Sequence, residues 1–258
     1  MSNASLLEVS DVTVEYVTQG QRFAAISDVT LDIAEGETLG LVGESGCGKS
    51  TTGRAIIQLP TPTAGQVKFE GHELTGLTHK DMRPIRQRLQ IIFQDPVSSL
   101  NPRRRVKDIV AEPLIIDGLK NTAEIDRKVR EVLNAVGMDP DITMDRRPHQ
   151  FSGGQCQRIC IARALIMEPK LIVCDEPVSA LDVSVQAQIL NLLEDMKARY
   201  GLTLLFISHD LAVVKNISDR VAVMYLGKFC ELADSERIYQ APAHPYTAGL
   251  MATIPEIG

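Results

Sequence analysis

The stretch that decides the fold of this chain is TLGLVGESGCGKST, residues 38–51. An apolar run, residues 38–42, leads into a glycine-rich segment, and a helix-compatible sequence begins at Lys49. Strand, glycine-rich loop and helix in this order are typical of a loop that binds the phosphates of a nucleoside triphosphate. The alternative is a glycine-rich turn with an incidental Lys-Ser pair, and the flanking strand pattern argues against it. We therefore predict a nucleoside triphosphate site here.

The residue types in this loop fit phosphate chemistry. Gly43 and Gly48 let the backbone curl with its N–H groups pointing inward, and Lys49 can reach the β- and γ-phosphates. The Ser50 hydroxyl can bind Mg²⁺, and Thr51 adds a phosphate contact. The predicted nucleotide-binding residues of the loop are Gly43, Ser45, Gly46, Gly48, Lys49, Ser50 and Thr51.

Length and composition limit the possible classes of protein. The 258 residues suffice for one large α/β domain or two small ones, and a net charge of -6 argues against a primary nucleic-acid binder. No run approaches the length of a membrane span, and residues 1–7 are too short and polar for a signal peptide, which predicts a soluble, cytoplasmic protein. The five cysteines form no zinc-type pairs, and we expect Cys156 and Cys160 to pack in the interior.

Strand patterns precede and follow the glycine-rich loop. Alternating apolar residues predict strands at 6–9, 12–16 and 25–33 before the loop, and at 66–71 and 89–94 after it. Tyr16 ends its predicted strand, where an exposed ring could stack on a nucleotide base. Half-buried packing of the same ring is the open alternative.

Residues 102–166 change to helical periodicity with no strand, which predicts a mostly helical insertion. Within it, residues 151–155, FSGGQ, introduce a helix whose N-terminus lies at the Ser-Gly-Gly turn. Free N–H groups and the helix dipole bind anions at such a terminus. Taken alone, such a pentapeptide is more often an N-cap with a flexible turn.

Two buried strands end in polar residues that suit phosphoryl transfer. The apolar run 171–174 ends in Asp175 and Glu176, and parallel sheets place ligands at the carboxyl ends of their strands. Asp175 suits Mg²⁺ and Glu176 the attacking water, although an acid pair capping a helix is the alternative. The strand 203–207 is followed by His209, which could reach a γ-phosphate.

The order of these motifs resembles the ATPase subunits of ABC transporters over nearly the whole chain. The Ser-Gly-Gly-Gln element shortly before the Asp-Glu strand is highly specific, because other families with a phosphate loop lack it. Further stretches resemble the oligopeptide, dipeptide and nickel importer branch: 93–96, 99–102, 179–186 and the His-Pro-Tyr-Thr motif at 244–247. The contexts of 101–103 and 111–114 are similar to one of the two unlike ATPase subunits that those importers use.

The resemblance implies an α/β fold: a RecA-like core with the phosphate loop, an N-terminal antiparallel β subdomain and an inserted helical subdomain. It implies ATP and Mg²⁺ as cofactors, with Tyr16 stacking on adenine and Ser50, Gln94 and Asp175 at the metal. Glu176 would be the catalytic base and His209 the γ-phosphate switch, with Gln94 sensing Mg²⁺ and water. The signature residues would bind the ATP of a second subunit; they are Ser152, Gly153, Gly154 and Gln155.

The same resemblance implies partners and a location. Complete sites form only when two ATPase subunits, here an unlike pair, sandwich nucleotide, with residues 179–182 linking the two sites. The helical insertion and the segment after Gln94 would contact two transmembrane permease subunits, and a solute-binding protein would act indirectly. The protein would sit peripherally on the cytoplasmic face of the plasma membrane and bind no nucleic acid.

Two departures from the family pattern stand out. The signature begins with Phe151 where leucine is usual, a conservative apolar change. The chain also stops at residue 258, whereas members of this branch commonly continue into a C-terminal extension, so either the sequence is truncated or the protein is short. The expected ATPase domain covers residues 1–240, with the helical subdomain at about 95–166, and residues 241–258 are the start of that extension.

Other function classes use parts of the same pattern. A soluble ABC ATPase that clamps nucleic acid or ribosomes is the main alternative, but such proteins usually carry two cassettes or a long coiled coil, and neither occurs here. A binding module with inactive sites is disfavoured because every catalytic position is filled. The transported solute, a peptide, nickel or a similar small molecule, is not fixed by these residues.

Cys47 lies inside the glycine-rich loop. Lys49 and the following helix N-terminus both favour a thiolate, so we expect Cys47 to be the thiol most sensitive to alkylation. An inert, buried thiol chosen for its small size is the open alternative.

Overall fold

The computed structural model describes residues 5–18 and 20–253. Residues 1–4, Gln19 and 254–258 lie outside the described residues. The strands are β1 Ser5–Thr18, β2 Gln21–Ala34, β3 Thr38–Val42, β4 Ala64–Phe69, β5 His72–Glu73, β6 Leu89–Ile92, β7 Leu171–Asp175, β8 Thr203–Ile207, β9 Arg220–Tyr225 and β10 Lys228–Asp234. The helices are α1 Lys49–Ile56, α2 Met82–Arg88, α3 Val106–Asp117, α4 Thr122–Ala135, α5 Pro140–Thr143, a 3-10 turn Pro148–Gln150, α6 Gly153–Leu165, α7 Val183–Tyr200, α8 Leu211–Ile217, α9 Ser235–Gln240 and α10 Pro245–Met251.

The chain divides into two compact units. The first unit contains Met1–Met82 and Thr203–Gly258, and the second contains Arg83–Leu202. In the part of the chain described, no helix is both long and apolar enough to cross a membrane.

The first unit opens with an antiparallel sheet in the order β2-β1-β4-β5. The two strands predicted at 6–9 and 12–16 are one strand, β1, because its pairing with β2 continues through a register shift between Val9 and Val12. Asp11 takes a positive φ of 51° at this irregularity. The next strand, β2, begins at Gln21 rather than at residue 25, and its inward residues Ile26, Val29, Leu31 and Ile33 are buried.

A second sheet in the first unit carries the glycine-rich loop. Strand β3 pairs in parallel with β8 on one side and with β9 on the other, and β10 pairs antiparallel with β9. Every residue of β3 and of β8 is buried, as expected for apolar runs in the middle of a parallel sheet. The hairpin of β9 and β10 has no counterpart in the sequence predictions.

The second unit has a parallel pair of strands and most of the helices. Strand β6 pairs with β7, and β6 ends at Ile92, two residues before the predicted end at Gln94. The described residues 102–166 contain helices and no strand, as the periodicity predicted. Helix α4 shows why: Asn121 caps its N-terminus, and Val129, Val132 and Leu133 form its buried face.

Candidate functional site

The glycine-rich loop between β3 and α1 adopts a backbone that requires glycine. Gly43, Gly46 and Gly48 have φ values of 151°, 80° and 111°. A Cβ atom on Gly43 would lie 2.2 Å from the carbonyl oxygen of Met224, and one on Gly48 would lie 2.7 Å from Cγ2 of Ile26. Side chains at Gly43 and Gly48 are therefore excluded both by the backbone conformation and by the surrounding protein, and a side chain at Gly46 is disfavoured by its backbone conformation alone.

Lys49 is buried at the start of α1, with only 4% of its surface exposed. Its Nζ atom donates hydrogen bonds to the carbonyl oxygens of Gly43 at 2.8 Å and Glu44 at 2.9 Å. The N-cap of α1 is Gly48, which offers no side-chain acceptor to the first N–H groups of the helix. A buried cation and uncapped N–H groups at one helix N-terminus suit a polyanionic phosphate chain. Ser50 and Thr51 occupy the first turn of the same helix.

Tyr16 lies near the end of β1 directly opposite Phe23 of β2. The two ring centroids are 5.8 Å apart, and the side chains are 39% and 51% exposed. Two exposed neighbouring rings form an apolar platform of the kind on which a flat base stacks. Phe23 was missed by the sequence reasoning, although its place across the short turn from Tyr16 was a usable signal.

His209 follows β8 in the first unit and is exposed. Its neighbours are fixed by a tight turn: the Asp210 N–H donates to the Ser208 hydroxyl at 3.0 Å, and the Asp210 carboxylate caps α8. His209 therefore lies just after a buried strand, at the position that the sequence predicted.

The second unit holds the acid pair at the end of β7. Asp175 is fully buried, and Glu176 begins the following turn with a positive φ of 50°. Nε2 of Gln94 donates to Oε2 of Glu176 at 3.0 Å. The structure thus brings together two of the three predicted catalytic residues, and the unusual backbone of Glu176 is typical of functional positions.

The signature residues form the start of α6. The Ser152 hydroxyl accepts from the Gln155 N–H, and the Gln155 side chain accepts from the Ser152 N–H at 3.0 Å, which makes a capping box. A Cβ atom on Gly154 would lie 2.5 Å from Cγ1 of Val185 at the start of α7. Gly154 therefore permits close packing of the two helices, in addition to any contact with an anion.

The turn after β7 ties the acid pair to α7. The Ser179 hydroxyl donates to the carbonyl oxygen of Glu176 at 3.1 Å, and Asp182 is the N-cap of α7. Residues 179–182 are therefore held by hydrogen bonds to the segment that carries Glu176.

The structure favours the alternative of a buried thiol at Cys47 over a stabilised thiolate. The residue is 6% exposed, and burial raises its thiol pKa although the charge of Lys49 opposes the shift. Cys156 and Cys160 are buried in α6, as expected of packing residues, and burial raises the pKa of Cys156 to about 11. Cys230 is the least buried of the five thiols.

Within 5–18 and 20–253, no three His, Cys, Asp or Glu side chains cluster so that they could hold a metal by themselves. A Mg²⁺ ion bound together with nucleotide phosphates needs only one or two protein oxygens, such as the hydroxyl of Ser50 in the first unit or the carboxylate of Asp175 in the second.

Comparison with known families gives the class of this protein. The family described as ABC transporter matches residues 26–179, and the chain belongs to that family. One similar solved structure is a dimeric post-hydrolysis state of the ATP-binding cassette MJ0796 bound to ADP and Pi. The two structures superpose with a TM-score of 0.80, their sequences are 29% identical, and the match covers 89% of this chain and 98% of that chain. The predicted fold class is thereby confirmed.

Individual relatives narrow the resemblance further. The oligopeptide transport ATP-binding protein OppF of Escherichia coli is 52% identical over 97% of this chain and 78% of its own length. A putative peptide import ATP-binding protein of Brucella ovis is 51% identical over 99% of this chain and 80% of its own. A putative oligopeptide transport ATP-binding protein, YkfD of Bacillus subtilis, is 51% identical over 99% and 78%. The predicted resemblance to the oligopeptide importer branch is confirmed.

Proposed function

We propose that this chain is the ATP-hydrolysing subunit of an importer that brings peptides through a membrane permease. The observation that carries the proposal is the glycine-rich loop with its buried Lys49, in a chain that is 52% identical to an oligopeptide transport ATP-binding protein. The loop supplies a phosphate site, and the relatives supply the class of solute. Nickel, the other solute of the predicted branch, does not occur in the names of these relatives.

The roles in ATP binding follow from the chemistry of each side chain. Lys49 turns from the carbonyl oxygens of the loop toward the β- and γ-phosphates, and the N–H groups at the start of α1 hold the same oxygens. The rings of Tyr16 and Phe23 stack on the base. Ser50 and Asp175 would hold Mg²⁺, which would supply positive charge to neutralise the phosphates. Gly43, Ser45, Gly46, Gly48 and Thr51 complete the loop.

The roles in hydrolysis belong to Glu176, Gln94 and His209. Glu176 takes a proton from the attacking water, since a positioned carboxylate can act as a general base. Gln94 holds that carboxylate through its Nε2 and presents its own oxygen to water or Mg²⁺. His209 donates to the γ-phosphate, which its exposure permits.

The proposal extends to partners and location. The capping box at Ser152 leaves the N–H groups of Gly153 and Gly154 for the nucleotide of a second ATPase subunit, which we propose is an unlike paralogue. Two permease subunits contact the helical subdomain at about 95–166, which places the protein peripherally at the cytoplasmic membrane face. We propose an ATPase domain of residues 1–240, on which α10 packs through Tyr246 and the hydrogen bond from Ala243 to Glu231.

Reconstitution tests this function. The chain, its paralogue and the two permease subunits encoded with it are purified together and placed in vesicles with the cognate solute-binding protein. We expect ATP hydrolysis stimulated by loaded binding protein and uptake of a labelled peptide, both lost with Glu176→Gln. Copurification with RNA or ribosomes, and ATPase activity stimulated by nucleic acid instead, would support the clamp and contradict the importer.

A further inference from the structure

The His-Pro-Tyr-Thr motif is built into the first unit as an anchored helix start. His244 is the N-cap of α10, and its Nδ1 accepts from the Tyr246 N–H at 3.1 Å. The carboxylate of Glu231 in β10 accepts from the N–H groups of Ala243 at 2.8 Å and His244 at 3.0 Å. These bonds fix where the side chain of Tyr246 enters the unit.

The ring of Tyr246 stacks on Tyr225 of β9, and β9 is the neighbour of β3, the strand that leads into the glycine-rich loop. Its ring centroid is 4.3 Å from that of Tyr225, with 37° between the rings. Tyr225 is the last residue of β9, and β9 pairs with β3 up to the register Val42 with Val223. The stacked rings therefore lie at the edge of the sheet where the loop begins.

The hydroxyl of Tyr246 is buried and has no partner at normal hydrogen-bond geometry. Burial raises the pKa of this phenol, and the nearby charges of Glu44, Cys47 and Cys230 add to that shift. A phenol aimed at the second residue of the loop is not needed to hold α10, because His244 and Glu231 already do so.

The turn after Tyr225 also supports the loop from the same side. The Gly227 N–H donates to the carbonyl oxygen of Cys47 at 2.9 Å, and the Met224 carbonyl occupies the space where a Cβ of Gly43 would lie. The outer side of the loop thus rests on the turn between β9 and β10, and Tyr246 packs on the end of β9.

We propose that Tyr246 is a positioning residue that holds the outer side of the phosphate-binding loop through its stacking on Tyr225. The inference rests on the proposed function, since it deepens the ATP site. The loop contains three glycines with positive φ, and such a backbone loses much conformational freedom when it closes on phosphate. A ring that holds the loop in place before ATP arrives reduces that loss and strengthens binding.

The test is the affinity for MgATP of variants at the stacked pair. Stacking of two aromatic rings contributes about 0.5–1.5 kcal/mol to the stability of the arrangement that contains them. If the stacked rings hold the loop in its ATP-binding form, Tyr246→Ala should raise the Kd for MgATP and the KM for ATP several-fold, up to about tenfold. The kcat at saturating ATP should change by less than about twofold, because no reacting group is removed. Tyr246→Phe keeps the ring and removes a hydroxyl that has no partner at normal hydrogen-bond geometry, and it should restore the wild-type Kd.

Two further variants make the test decisive. Tyr200→Ala is the matched control, because it removes a half-exposed ring of the second unit and should leave Kd unchanged. Tyr225→Ala removes the other member of the pair and should raise Kd as Tyr246→Ala does, which keeps the proposal testable if Tyr246→Ala fails to fold. A wild-type Kd in folded Tyr246→Ala or in Tyr225→Ala overturns the inference. Failure of the wild-type chain to bind MgATP would instead contradict the proposed function.

Discussion

Gln94 and Glu176 are joined by a hydrogen bond of 3.0 Å from Nε2 to Oε2, although 82 residues separate them in the chain. Gln94 lies two residues beyond β6 and Glu176 one residue beyond β7, and these strands are parallel neighbours. Side chains that follow the carboxyl ends of adjacent parallel strands are brought to one edge of the sheet. The pairing of these two strands therefore aims the amide at the carboxylate.

The first prediction concerns this carboxylate. Glu176→Gln removes the base but keeps an oxygen that can accept from Gln94, so the fold and ATP binding should persist. The kcat for ATP hydrolysis should fall by about 100-fold or more, the usual contribution of a general base. Steady-state phosphate release by the complete transporter measures kcat, and calorimetry measures the Kd for MgATP. Wild-type turnover in this variant would contradict the role given to Glu176.

The second prediction concerns Lys49. Lys49→Ala removes a charged donor at the phosphates, and a hydrogen bond to a charged group contributes about 1.5–3 kcal/mol, so the affinity for ATP should fall about tenfold or more. Lys80→Ala is the control, because Lys80 is exposed and outside the loop. Equal affinity of the two variants in a calorimetric titration would refute the phosphate-binding role.

The third prediction concerns the close packing of α6 on α7. Gly154→Ala places a methyl group where Val185 lies, and overpacking costs about 1–3 kcal/mol, so the free energy of unfolding should fall by that amount. Gly154→Ala with Val185→Ala should recover part of the loss. Gly153→Ala is the control for denaturation, because its Cβ would lie 3.4 Å from Leu181, an ordinary contact. Identical denaturation midpoints for the two single variants would rule out this packing constraint.

The motifs could be predicted because each depends on residues close in sequence. The glycine-rich loop, the start of α6 at Ser152 and the buried strands β7 and β8 all carry local signals.

The properties that were missed depend on distant segments. Cys47 is buried beside Gly43 and near Met224, and this burial raises the pKa of its thiol. Its neighbours in sequence indicated the opposite, a stabilised thiolate. The continuity of β1 depends on pairing with β2 across an irregularity at Asp11, which no propensity indicates.

The fourth prediction follows from that correction. Cys230 is more exposed than the other four thiols, so brief maleimide treatment of the chain without nucleotide should label Cys230 first. Peptide mapping by mass spectrometry identifies the modified residue, and Cys230→Ser should leave only slow labelling. Rapid labelling of Cys47 that MgATP prevents would restore the original expectation of a reactive loop thiol.

The last prediction concerns pH and the anchor of α10. Burial raises the pKa of Glu231, but hydrogen bonds from the N–H groups of Ala243 and His244 outweigh it and hold the pKa below the ordinary value of 4.5. A carboxylate with a lowered pKa stabilises the fold above its ordinary pKa, and this contribution is lost as pH falls through the lowered value. Wild type should therefore have a higher Tm than Glu231→Gln at pH 7, and the difference should shrink as the pH is lowered below 4.5. Glu236→Gln, an exposed change in α9, is the control. A difference in Tm between wild type and Glu231→Gln that stays constant from pH 7 into the acid range would show that the charge of Glu231 does not anchor the helix.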